Sequence, residues 1–433
     1  MQEENKNREF DVLVIGGGIA GQESSLNLAN MGLKVLLVEK DYSIGGKMIH
    51  LSKVFPTLDC AACIATPKIS ETARHPNITI FTFSEVRDIE KSGNTYIARV
   101  IKKPRYVKEE LCTGCQECEF VCPVYAPDQY QFDLVGRKAI FVPFSLANPR
   151  VAGIDIENCI LCGACEKICP TEAIDFTMEA EEVSISFKST IIATGFNLFD
   201  ARNKPQYGFG KFKNVVNSMQ MERHLVPTRP FNAVLRPSDG KMPDNIAYVL
   251  CVGSRDKSVG NPLCSQVCCM YSIKQAQLLM GALPMADVTI YYINIRAFGK
   301  GFCEFYQQSK TMGIEFVKGK VAKITQTEKD DLIVRYEDIF EGKVKEAKHD
   351  LVVLAIGALP NPDIPDMFKN EKVELGEFKY VKQVDRFACP AKTSMEGVFV
   401  AGTAAVPLDI PDSILSAGAA SSEANSYIKK LGL

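Results

Sequence analysis

The sequence predicts an α/β protein of two Rossmann-like lobes with a small cysteine-rich α+β segment inserted into it. Three observations predict this: a strand, glycine turn, helix and strand near the start, two copies of a four-cysteine run around 112–122 and 159–169, and a second train of alternating strands and helices over 245–357. A chain of 433 residues exceeds what one core organises and calls for two or three domains. Apolar residues make up 46% and charged residues 24%, with a formal charge of -2, so no basic bias points to nucleic acid. The polar opening lacks the build of a secretory signal and no apolar run reaches the length of a membrane span. A cytoplasmic protein without an integral membrane segment is expected. In that compartment 16 cysteines read as metal ligands or redox thiols rather than disulfides.

The first element is the apolar run Phe10–Ile15, which ends in Gly16-Gly17-Gly18-Ile19-Ala20-Gly21 and continues as a helical pattern through Leu33. A second strand, Lys34–Val38, closes on Glu39. In this dinucleotide fingerprint, glycines let the backbone approach a pyrophosphate at a helix N-terminus and the acid takes a ribose hydroxyl. Gly16, Gly18, Ile19, Ala20, Gly21, Glu39 and the adjacent Lys40 are therefore candidate cofactor contacts. Ile44-Gly45-Gly46-Lys47 is a further glycine turn, adding Gly46 and Lys47, and the strand-like stretch 79–86 adds Val86. After the cysteine-dense stretch the chain rejoins this domain at a buried-strand pattern ending in Ala193-Thr194-Gly195. It returns to it once more through 397–402, which contributes Gly402 and Thr403. The expected division places 1–105, 179–240 and 361–433 in the cofactor-binding domain, 106–178 in the insert and 241–360 in the second lobe.

The insert carries Cys112-x2-Cys115-x2-Cys118-x3-Cys122-Pro and Cys159-x2-Cys162-x2-Cys165-x3-Cys169-Pro. In a bacterial-type two-cluster ferredoxin each run wraps one [4Fe–4S] cluster and sends its fourth cysteine to the other. The ligand sets are then Cys112, Cys115, Cys118 and Cys169 for one cluster, and Cys159, Cys162, Cys165 and Cys122 for the other. Two structural zinc sites are the alternative, but zinc does not need the four-cysteine run with its proline.

The second lobe shows no glycine fingerprint where its first strand ends. Cys251-Val-Gly-Ser-Arg stands there instead, followed by Cys264-x3-Cys268-Cys269. A third cluster is one reading of these four thiols and buried structural cysteines the other. With the glycine fingerprint, the TLDCAAC segment around Cys60 and Cys63, KPRYV, both ferredoxin runs, CVGSRD, GNPLCSQVCCMYSIKQA, GVFVAG and DIPDSI, the chain resembles the A-subunit family of heterodisulfide reductases across nearly all of 8–433. The resemblance implies a thioredoxin-reductase-like two-lobed Rossmann flavoprotein that binds FAD, has lost its nicotinamide site and carries the inserted 2[4Fe-4S] ferredoxin domain. It also implies that Cys251, Cys264, Cys268 and Cys269 hold a cluster, and that Lys274, paired with Glu222, sits by the reactive edge of the flavin. Longer members carry further cluster domains beyond both ends, so this sequence reads as a short form. Cys60 and Cys63 then belong to a cluster completed by a partner, by Cys303 or by Cys389, or else form a redox dithiol or inert thiols. Where related flavoproteins place Asp after the last Ala-Gly, this chain has Thr403, whose hydroxyl can still hydrogen-bond the ribityl chain. Of the nearby acids, a helix N-cap accounts for Asp412.

The expected function is electron transfer, in pairs at FAD and singly through [4Fe–4S] clusters, with flavin-based bifurcation as its sharper form. The alternative is a self-sufficient NAD(P)H-dependent disulfide or sulfur reductase using Cys60 and Cys63. The resemblance implies as partners a ferredoxin-like connector, a donor of hydrogenase or formate dehydrogenase type, and a cysteine-rich disulfide-reducing subunit. Analogy adds a homodimer.

Overall fold

The computed structural model describes residues 8–432. Among the described residues are eight α-helices: α1 (Ile19–Asn30), α2 (Ala61–Arg74), α3 (Glu117–Val121), α4 (Ala164–Ile168), α5 (Ser218–Leu225), α6 (Cys268–Ala282), α7 (Phe302–Thr311) and α8 (Ile410–Lys430). No helix among them is long and apolar enough to cross a membrane.

Contacts divide the chain into one unit of residues 1–49, 64–196 and 360–433 and another of 50–63 and 197–359. In the first unit the apolar run Val12–Ile15 is the middle strand of a five-stranded sheet, with 189–192 and 35–38 as its neighbours and 398–400 and 78–81 at the edges. All four pairings are parallel. Strands buried on both faces read as continuous apolar runs, which is why VLVI and VLLV lack alternation. A second sheet, in the order 8–9, 181–187, 95–102, 84–92, covers one face. Leu13, Ile15, Leu36, Val38 and Phe81 meet Ala98, Val100, Ile185 and Phe187 in the core between the sheets, while α1 packs against α8.

Within this unit, residues 106–178 close on their own small core of Val107, Ile140, Val142, Val151, Ile154 and Ile174. The duplicated sequence becomes a duplicated conformation. Gln116 (φ 67°) precedes α3 and Gly163 (φ 69°) precedes α4, each in the left-handed region, and each five-residue helix ends at an extended cysteine, Cys122 or Cys169.

The second unit is built on a seven-stranded sheet in the order 215–217, 351–356, 245–252, 287–292, 315–326, 332–338, 343–349. Its first four pairings are parallel and the last two antiparallel. Tyr248, Ile290, Leu351 and Val353 from the sheet pack with Ile273, Ala276 and Leu279 of α6. Residues 197–240, expected with the cofactor-binding domain, cluster here instead, because Val215–Asn217 extends this sheet through Val352–Leu354. A three-residue strand is too short to carry a periodicity.

Candidate functional site

The glycine turn of the first unit is fixed by close backbone packing. A Cβ on Gly21 would lie 1.8 Å from the Gly16 carbonyl oxygen, and one on Gly16 (φ 105°) would lie 2.4 Å from that of Ala193. Gly18 caps α1 without any side-chain cap bond, which leaves the first-turn N–H groups facing outward for an anion. Two other predicted segments close around this helix end: a Cβ on Gly46 would come 2.7 Å from Gly18 Cα, and one on Gly402 would come 2.7 Å from Ala20 Cβ. Thr403 Oγ1 is 3.8 Å from where a Gly195 Cβ would stand. Thr194 Oγ1 is buried with no hydrogen-bond partner among the described residues, a polar atom suited to a bound ligand.

Glu39 stands at the end of the second strand, 5% exposed. Its carboxylate accepts the Gly17 N–H at 2.6 Å and the Asp41 N–H at 2.9 Å. Burial, with the Asp41 charge beside it, pushes this acid up to about 7 against the pull of those two N–H bonds. The Lys47 ammonium, held down chiefly by burial, lies 4.7 Å from the centre of the Phe196 ring. Lys40 is exposed, and Val86 packs on the core between the two sheets. These features fit a dinucleotide: free N–H groups at a helix end, a bare glycine turn, a carboxylate at the second strand and an orphaned hydroxyl. Asp409, rather than Asp412, is the N-cap of α8, since its side chain accepts the Asp412 N–H at 2.9 Å and Pro411 sits in the first turn of the helix.

In the insert, Cys122, Cys159, Cys162 and Cys165 line one pocket together with Ile140, Ile154 and Phe176. Burial pushes the Cys165 thiol up to about 11, with Cys159 and Cys162 adding to the effect. Burial likewise pushes Cys118 up to about 12, with Glu119, Cys112 and Cys115 adding. At Cys169 burial is outweighed by backbone N–H groups, among them that of Ala173 at 3.4 Å from Sγ, and the thiol is held below its ordinary value. Thiols crowded in this way would carry negative charge together only with a cation held between them, and N–H bonds to sulfur are the ordinary second layer of an iron–sulfur site. Among the described residues no three His, Cys, Asp or Glu side chains converge as they would on a single metal ion.

Cys251, Cys264, Cys268 and Cys269 gather in the second unit, where Cys268 and Cys269 open α6 and are each 5% exposed. Cys268 is driven well above its ordinary value by burial first and then by Cys251, Cys269 and Cys264. Cys251 adopts a left-handed conformation (φ 62°), and the Gln266 N–H points at Cys264 Sγ from 3.4 Å. The positive end of α6 favours thiolates at its head. In the same turn the Phe199 ring lies where a Cβ on Gly253 would be, 2.0 Å away, so the backbone of this glycine is covered on that side.

Further along α6, Lys274 meets Glu222 of α5. Both are buried, with Lys274 Nζ 2.5 Å from Glu222 Oε1 and 2.9 Å from the Lys53 carbonyl. Gln275 Nε2 donates to the same Glu222 oxygen at 2.6 Å, and Ser52 gives its N–H and hydroxyl to Oε2 at 2.8 and 2.6 Å. Burial holds the Lys274 ammonium below its ordinary value while Glu222 works against that. Sequence reasoning missed Ser52 and Gln275: Gln275 is the neighbour of a predicted residue, whereas Ser52 belongs to no motif. Cys60 stands just before α2 and its sulfur accepts the Cys63 N–H at 3.3 Å. Cys303 is exposed on α7, and Cys389 lies in a loop of the first unit.

The model of the pyridine nucleotide-disulphide oxidoreductase family matches residues 10–424. The chain is 43% identical over 413 residues to the iron-sulfur A subunit of CoB--CoM heterodisulfide reductase from Methanocaldococcus jannaschii, covering 95% of this chain and 63% of that one. It is 41% identical over 414 residues to the A subunit of H(2):CoB-CoM heterodisulfide,ferredoxin reductase from Methanothermobacter marburgensis, again with 95% and 63% covered. The chain thus spans less than two thirds of the length of these relatives. Among solved structures, thioredoxin reductase of T. acidophilum superposes with a TM-score of 0.56 at 16% identity, covering 98% of this chain and 100% of that one. Thioredoxin reductase of Lactococcus lactis gives 0.55 at 14% identity, with 97% and 99% covered. These two establish the thioredoxin-reductase-like fold. The chain is similar to the A subunit of heterodisulfide reductase and belongs to the pyridine nucleotide-disulphide oxidoreductase family.

Proposed function

We propose that this protein is a FAD-dependent iron–sulfur electron-transfer subunit of a heterodisulfide-reductase-like complex. FAD supplies two-electron chemistry and [4Fe–4S] clusters supply one-electron transfer. The observation that carries this reading is the single pocket lined by Cys122, Cys159, Cys162 and Cys165, the four thiols that the sequence repeat assigns to one cluster. The head of α1 and the glycine turn offer N–H groups to a pyrophosphate, and Glu39 stands ready for a ribose hydroxyl. Cys112, Cys115, Cys118 and Cys169 would hold the partner cluster of the insert, and Cys251, Cys264, Cys268 and Cys269 a third. Glu222 keeps a buried ammonium on Lys274 in one place, a cation suited to steadying negative charge on a reduced flavin.

Three cluster sites in one chain allow electrons from FAD to leave by separate routes, and bifurcation follows as the sharper reading. The name of the Methanothermobacter marburgensis relative couples a heterodisulfide with ferredoxin, which supports two destinations. The partners of this reading are a ferredoxin-like connector, a hydrogenase or formate dehydrogenase type donor, and a cysteine-rich disulfide-reducing subunit, meeting a homodimer of this chain in the cytoplasm. A second reading, an NAD(P)H-dependent disulfide reductase using Cys60 and Cys63, is favoured by the Cys63 N–H on the Cys60 sulfur ahead of a helix. It is opposed by the Phe199 ring on Gly253.

Anaerobic purification followed by iron and flavin analysis tests the proposal. About twelve irons and one FAD per chain are expected, about sixteen if Cys60 and Cys63 take part in a fourth cluster, and about eight would remove the third site. Rapid bleaching of the flavin by NADH or NADPH would overturn the first reading in favour of the second.

A further inference from the structure

The two cysteine runs of the insert fold alike, and the likeness fails at one carbonyl. The Cys169 carbonyl accepts a backbone N–H, that of Glu172 at 3.3 Å. Its counterpart, the Cys122 carbonyl, accepts the Lys138 ammonium at 2.7 Å. Lys138 ends the short strand 136–138, opposite Tyr125 of the strand 125–127, and its Nζ lies 3.7 Å from the centre of the Tyr125 ring. That ring is 72% exposed, so it acts as a platform for the ammonium rather than as part of the core.

Residues 106–178 hold 11 Asp and Glu against 5 Lys and Arg, so an ammonium in the insert has carboxylates to choose from. Lys108 and Arg137 take them, pairing with Asp175 and Asp155. Lys138 makes no ion pair among the described residues, so no carboxylate cancels its charge at close range. Covalent geometry keeps that charge within roughly 7 Å of the Cys122 sulfur, a distance at which salt screens it only in part. The other charges in the runs do not offset this. Glu119 and Glu166 follow the third cysteine of each run alike, and Lys167 lies between Cys165 and Cys169, which the repeat assigns to different clusters. Glu117, where the second run has Ala164, adds negative charge beside the first.

We propose that Lys138 sets the order of the two ferredoxin-type clusters: its ammonium gives the one held by Cys122, Cys159, Cys162 and Cys165 the higher reduction potential, so that an electron entering the insert comes to rest there. The proposal rests on the two-cluster reading above. Reduction adds one negative charge to a cluster, and a cation fixed beside it favours that form. A lysine that only braced the Cys122 turn would be replaceable by any side chain that donates to the same carbonyl.

The test is an EPR-monitored redox titration of the anaerobically purified, cluster-loaded protein. Cys162→Ala identifies the signal of this cluster by removing it. In the unaltered protein that signal is expected to be the first of the two ferredoxin-type signals to appear on reduction. In Lys138→Gln, which keeps a donor for the carbonyl but no charge, it is expected to become harder to reduce by on the order of tenfold in the one-electron equilibrium, about 59 mV, while the other signal shifts less. Lys138→Arg, which keeps the charge, is expected to stay near the unaltered value. The proposal is overturned if the Cys162-dependent signal appears second in the unaltered protein, if Lys138→Gln moves neither signal or both equally, or if Lys138→Arg moves it as far as Lys138→Gln does. If Cys162→Ala removes neither signal, the ferredoxin reading itself falls, and the role of Lys138 with it.

Discussion

Lys274 and Glu222 form a buried ion pair, 2.5 Å from nitrogen to oxygen, in which both side chains are at most 2% exposed. The Glu222 carboxylate accepts four hydrogen bonds, from Lys274, Gln275 and twice from Ser52, so each of its oxygens is doubly engaged.

Removing one partner of such a pair strands the other charge away from water. Glu222→Gln is expected to cost about 3–5 kcal/mol of stability, read as a lower urea midpoint. The double variant Glu222→Gln with Lys274→Met should lose less than Glu222→Gln alone, because no charge is then left uncompensated. A double-mutant cycle measures that coupling directly.

The same substitution should act with opposite sign at two glycines. Gly21→Ala drives a methyl group to 1.8 Å from the Gly16 carbonyl and opens the turn, so FAD binding is expected to weaken at least about tenfold. Gly418, inside α8, has open space around its Cβ position. Gly418→Ala should stabilise by about 0.5–1 kcal/mol through the entropy of the unfolded chain, measured by thermal melting.

His349 is buried and held by Tyr291 at 2.9 Å and Asn245 at 2.5 Å. Burial lowers it from 6.5 to about 4, so the unfolded chain binds the proton more readily than the folded one. Stability is therefore expected to fall as the pH drops from about 6.5 toward 4. His349→Gln should flatten that part of the stability profile, followed by urea unfolding at successive pH values.

Asp256 depends on pH in the same sense, over a more acid range. Its hydrogen bond to Lys204 at 2.7 Å leads a set of partners that lower it to about 2, so its contribution is present above the unfolded value of 3.8 and is lost as the pH falls through about 2. With a quarter of the side chain exposed, solvent screening reduces the effect, and Asp256→Asn should cost about 1 kcal/mol at neutral pH.

Much of this arrangement is legible in the amino-acid sequence because it is local. The apolar runs at 12–15 and 351–356 announce buried strands, and the twice-written cysteine run announces a duplicated arrangement, which the structure shows as two matching short helices. What escapes a linear reading is set by contacts far apart in the chain. Ser52 meets Glu222 across 170 positions from a loop with no motif. Val215–Asn217 joins the second sheet through three residues whose pattern favours no particular partner. The cap of α8 falls on Asp409 because Pro411 fixes the first turn, while either aspartate of Asp-Ile-Pro-Asp satisfies a sequence rule.

Helix α6 carries both the cysteine pair at its head and the ammonium in its middle, which makes it a ruler. Six residues separate Cys268 from Lys274, an axial span of about 9 Å that neither loop motion nor side-chain choice can alter. One residue inserted after Tyr271 would rotate everything beyond it by about 100°, taking Lys274 and Gln275 away from Glu222 while leaving all four thiols in place. The interior of this helix is thus locked in phase, and divergence among related chains should collect in the loops on either side of it.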